Sequence, residues 1–107
     1  GKIGPKAVKA VPALTRRLTE GDAEVRVAAI EALEGIGLGS EPALPTLVEL
    51  FRHEDYRVRG AAAKLVGRFE EKARMYIPQL RKLVDDRDGS VRGAASAAIL
   101  AIGVEEK

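Results

Sequence analysis

The chain has 107 residues, no cysteine and a formal net charge of +2, which excludes disulfide scaffolds, thiolate metal centres and a uniformly polybasic protein. Apolar residues at 46% and charged residues at 32% describe an ordered domain, not a disordered tail. No apolar run approaches the roughly 20 residues that span a bilayer, and Gly1 to Ala10 carries no signal-peptide core, so no membrane contact and a cytoplasmic setting are expected.

Gly1-Lys2-Ile3-Gly4 has the form in which later segments close, so residues 1–4 read as the end of a preceding unit or a cloning remnant. A first helix is predicted from Pro5, a residue favoured at the first helical position, with Val11, Leu14 and Leu18 along one face. Glu20-Gly21-Asp22 breaks that pattern. Asp22 can then cap a second helix by accepting a backbone N–H, with Val25, Ala28, Ala29, Ala32, Leu33 and Ile36 as its core face.

The third helix has Leu44, Leu47, Leu50 and Phe51 at three- and four-residue steps. Pro45 lies inside it, and its missing donor and its ring predict an irregular start or a kink there. His53-Glu54-Asp55 forms the next turn. The fourth helix runs from Tyr56 with Val58, Ala61, Ala62, Leu65, Val66 and Phe69 inward. The fifth presents Ile77, Leu80, Leu83 and Val84, Asp86-Arg87-Asp88 turns, and the sixth presents Val91, Ala94, Ala95, Ala98, Ile99 and Ile102.

One step relates all of these segments. Pro12, Pro45 and Pro78 are each 33 residues apart, as are Asp22, Asp55 and Asp88, and the Val-Arg pairs at 25–26, 58–59 and 91–92. A period of this length means stacked helix pairs, each covering the apolar face of the next. The predicted fold is an all-α solenoid of three antiparallel helix pairs, at residues 5–37, 38–70 and 71–107. Two positions depart from the plan. Gly37 and Gly103 close the first and third units, but Glu70 stands there in the second, so that turn should differ. Arg17 occupies the apolar position of Leu50 and Leu83, so the first helix should be only partly covered.

The Val-Pro-Ala-Leu segment, the Asp-ended turns, the Val-Arg pairs, the paired alanines and the closing Ile-Gly resemble the HEAT repeat, over residues 5–104. The short bacterial type of the phycobilisome lyases is the nearest branch. Neither the tetratricopeptide aromatic-glycine consensus nor the ankyrin Thr-Pro-Leu-His is present. The resemblance implies a scaffold or regulatory module that binds another protein, without catalysis or cofactor. A minor alternative is the non-catalytic part of a bilin-lyase-like protein. The ends imply a piece of a longer solenoid, with flanking repeats as neighbours.

Residues with chemical potential resolve mainly into structure. Some HEAT-like oxygenases bind two irons through His-Glu pairs, but His53 is the only histidine and falls in a turn. Asp85, Asp86 and Asp88 lack the spacing of a calcium loop, and Gly35, Gly37 and Gly39 follow a helix without a phosphate-loop ending. With no cysteine and one histidine, no nucleophile–base pair can be assembled. HEAT-like arrays pair the Val-Arg arginine with a turn aspartate of the same or the adjacent repeat, which implies a structural ladder of Asp22, Arg26, Asp55, Arg59, Asp88 and Arg92.

Two surfaces remain for partners. A helical wheel turns Val27, Ile30, Glu31 and Glu34 outward, with Lys64 and then Ala97 and Leu100 at later equivalents. In HEAT-like arrays the second helices line the concave side, which nominates Val27, Ile30, Glu31, Lys64, Ala97 and Leu100 as partner-binding residues. The alternative is nucleic-acid backbone binding along residues 57–82. Charge there reaches +6, from Arg57, Arg59, Lys64, Arg68, Lys72, Arg74, Arg81 and Lys82 against Glu70 and Glu71. Residues 20–55 carry −7.

Overall fold

Proline determines where each unit's first helix begins. In the computed structural model, which describes residues 5–103 with side chains from residue 7, α1 (Pro5–Lys9) and α2 (Val11–Arg17) form the first arm and α3 (Ala23–Ile36) returns from it. A 3-10 segment at Gly37–Ala43 leads into α4 (Leu44–Glu49), and α5 (Tyr56–Gly67) follows. After a short 3-10 turn at Leu50–Arg52 between α4 and α5, a further 3-10 segment, Glu70–Tyr76, leads into α6 (Ile77–Leu83) and then α7 (Gly89–Ile102). Pro12, Pro45 and Pro78 each stand in the first two positions of α2, α4 and α6, where the lost N–H needs no partner. The irregular start predicted around Pro45 is this 3-10 entry. Among the described residues there is no strand, and the expected unit close at Gly1 to Gly4 lies outside them.

Aspartate starts each second helix. Asp22 accepts from the Val25 N–H at 3.0 Å, Asp55 from the Arg57 N–H at 2.8 Å, and Asp88 from Ser90 and Val91 at 2.9 and 3.1 Å. The Ser90 hydroxyl also donates to Asp88. The opposite ends differ. Gly37 and Gly103 leave α3 and α7 with φ of 84° and 82°, and Glu70 adopts 53° at the same place. A side chain in that left-handed conformation costs about 1 kcal/mol, and α5 stops at Gly67, earlier in its unit than α3 or α7.

Burial shows which way each second helix faces. Val58 and Val91 are fully buried, and a Cβ placed on Gly60 would lie 3.7 Å from Val91, so this position faces the preceding pair. Val25, its equivalent, is 41% exposed. The assignment of Val25, Ala28 and Ala32 to the core is therefore corrected: the described residues place no preceding helix over them. Ile30 and Ala63 face the following pair and are buried, while Ser96 at the same position of α7 is exposed. Arg17 is exposed where Leu50 and Leu83 are buried, as its position suggested.

Candidate protein-interaction face

One stripe at three- and four-residue steps is open to solvent on all three second helices. On α3 the stripe is Glu24, Ala28, Glu31 and Gly35; on α5 it is Arg57, Ala61, Lys64 and Arg68; on α7 it is Ser90, Ala94, Ala97 and Ala101, with Ala61 and Ala94 half-buried. Each helix thus gives the face a different chemistry: acidic, then basic, then small and neutral. A groove of about 500 Å³ opens between α5 and α7, edged by Lys64, Arg68 and Glu70 and floored by Gly67, Ala94, Ala97, Ala98 and Ala101. Gly67 lets the two helices meet at its floor, because a Cβ there would stand 2.8 Å from Ala98.

Of the six nominated contact residues, Glu31, Lys64 and Ala97 lie on this stripe and are exposed. Leu100 is 81% exposed but belongs to the end of the stack, at the position that Gly67 buries against α7. Val27 is half-buried against the core. Ile30 is corrected outright. At 1% exposure it is a core residue, because the wheel considered its own pair and ignored the helix that stacks next. Arg68, Ala94 and Ala101 line the groove and were not nominated; extending the 31–64–97 stripe by one turn would have found Arg68 and Ala101.

The arginine ladder takes another form than the family resemblance implied. The cap aspartates spend their oxygens on their own helix, so none of them holds the arginine of its period. Arg59 instead forms a bidentate pair with Asp86 of the next turn, at 2.8 and 2.9 Å, and donates to the His53 and Glu54 carbonyls. Both side chains of this pair are about nine-tenths buried. Arg26 donates to the Leu18 and Gly21 carbonyls, and Arg92 to the Asp86 carbonyl. The acid stands 27 residues after its arginine, and the equivalents of Asp86 are His53 and Glu20, so no period of 33 advertises it.

Charge states follow these contacts. The Arg59 side chain holds the Asp86 carboxyl below its usual range, and the Ser90 hydroxyl does the same for Asp88. Asp55 is drawn down to about 2, first by the Arg57 side chain and then by the Arg57 N–H. A polar cleft of about 590 Å³ joins the first two turns, lined by Asp22, Glu24, Arg26, His53, Glu54, Asp55 and Arg57. His53 is committed within it, its Nδ1 accepting from the Asp55 N–H at 3.0 Å. Among the described residues no three His, Cys, Asp or Glu side chains group as a metal site, and no helix is long and apolar enough to cross a membrane.

The basic residues of 57–82 do not form one free stripe. Arg59 is buried, Arg57 pairs with Asp55, Arg68 with Glu34 at 2.8 Å, and Lys72 approaches Glu41 at 3.7 Å. Arg81 and Lys82 stand on α6, away from the second-helix face.

A family model described as HEAT repeats matches residues 1–65 and, in a second placement, 44–107. No curated protein matches the chain significantly.

Proposed function

The chain belongs to the HEAT-repeat family, and on that premise we propose that it is a non-catalytic scaffold that binds another protein on the α3–α5–α7 face. The α5–α7 groove supports this most directly. Its alanine and glycine floor lets a partner backbone approach closely, and the exposed Lys64 at its rim favours an acidic segment. Glu31, Lys64, Arg68, Ala97 and Ala101 are the contact residues in this reading. The units are taken as residues 5–37, 38–70 and 71–107.

Nucleic-acid binding draws less support, because four cations of the 57–82 segment are spent on or close to acids. A photo-crosslinking residue placed at position 97, with a control at the exposed Pro12 on α2, tests the choice. One discrete protein adduct at 97, absent at 12 and weakened by Lys64→Glu, is the expected result. Equal labelling at both positions overturns it, and salt-sensitive binding of labelled DNA or RNA would promote the alternative.

A further inference from the structure

The groove between α5 and α7 has a counterpart at the junction before it. Glu34, Gly37, Leu65 and Arg68 line a smaller cleft of about 200 Å³ between α3 and α5. One period on, these positions are Gly67, Glu70, Ala98 and Ala101, all of which line the groove. In the first cleft the ion pair of Glu34 and Arg68, at 2.8 Å, bridges the two helices. At the second junction both members are gone: Gly67 has no side chain and Ala101 only a methyl group. The chain thus bridges one cleft with its own side chains and leaves the other open. This opening is independent of where the stack stops, because α5 has a helix on each side and still exposes Lys64 and Arg68, the equivalents of Ala97 and Ala101.

The floor of the groove offers methyl groups and backbone without a polar side chain, so an apolar group gains by entering it and a charged one does not. Its α5 edge is charged at both ends. Lys64 and Glu70 stand on either side of Gly67, both are exposed, and neither is ion-paired among the described residues. Arg68, which lies between them, is taken by Glu34. At 1.5 Å of rise per residue, roughly 9 Å separates the two charges, close to the length of three extended residues.

We infer that the groove takes a short extended segment of a partner protein in which one aliphatic residue stands between an acidic and a basic one. The aliphatic side chain lies on Ala97 and Ala101, the acid meets Lys64, and the base meets Glu70. The two opposite charges fix the direction of the segment, since reversing it sets like charge against like. This rests on the reading of the face as a protein-binding surface, and it adds the chemistry and orientation of what binds there.

A random heptapeptide library displayed on phage and selected on the full chain provides the test. The enriched peptides should share the acid–aliphatic–base triplet in one order. Fluorescence anisotropy of those peptides should show binding at least about tenfold weaker to Ala101→Arg, which puts back the side chain of the first cleft. The charge swap of Lys64→Glu with Glu70→Lys should select the opposite order. Circular dichroism confirms that both variants are folded. Peptides that crosslink from position 97 but share no such triplet, keep their order on the swapped chain, or bind Ala101→Arg like the parent overturn this inference alone. If no selected peptide crosslinks from position 97, the scaffold reading falls with it.

Discussion

Between α5 and α7 the backbones close until Gly67 has no room for a side chain, whereas between α3 and α5 the same position holds Glu34. Beneath the tight junction lies the buried Arg59–Asp86 pair. Beneath the other, His53 occupies the acid's place and Arg26 makes do with backbone carbonyls. The carboxylate of Glu34 reaches round to Arg68 at 2.8 Å, but the arginine side chain is 61% exposed. Repeats with one backbone plan thus meet through interfaces of unequal strength, set by the side chains at two positions. A stacked array of this kind is stabilised by the sum of its interfaces, so the first pair should open before the other two.

The largest expected effect comes from removing the ion pair. Arg59→Ala leaves Asp86 buried without its partner and should cost about 3–4 kcal/mol, read as a fall in urea midpoint. Acid attacks the same contact. The folded pKa of Asp86 is lowered, so its contribution is complete above the ordinary carboxylate value of about 4 and fades as pH falls below it. Stability should decline below about pH 4, and less steeply in Asp86→Asn. A melting temperature flat to lower pH would remove Asp86 from the account.

Next in size is the close approach. Gly67→Ala should cost about 2 kcal/mol, and Ala62→Leu or Ala95→Leu about 1–3, by forcing the helices apart. Gly35→Ala, on the open face of α3 with free space for a methyl group, should instead stabilise by about 0.5–1 kcal/mol. Thermal unfolding of this set separates tight packing from helix propensity. Glu70→Gly should gain about 1 kcal/mol by relieving the left-handed backbone between the second and third pairs. Glu34→Ala should change stability by only about 0.3 kcal/mol, because solvent screens its pair; a larger loss would mean that the first junction is stronger than its exposure implies.

The periodic parts of the fold were open to sequence reasoning because each has a local cause. Pro45 and Pro78 mark helix starts through their own missing donor, and Asp55 and Asp88 mark the next helices through their own carboxylates. What one pair does to its neighbour was harder to see. Ile30 and Val25 are both apolar on the same helix, and only the presence or absence of an adjacent pair buries one and exposes the other. Asp86 was hidden for a similar reason, since its equivalents are a histidine and a glutamate and its partner comes from the preceding unit. The groove was half visible: Lys64 and Ala97 follow from the stripe, but its depth depends on Gly67 meeting Ala98.

Native-state hydrogen exchange followed residue by residue tests the inequality of the two junctions most directly. Amides of α3 should exchange through an opening of lower free energy than those of α5 and α7, and Arg59→Ala should bring the two sets together. Equal protection along all three second helices, unchanged by Arg59→Ala, would contradict it.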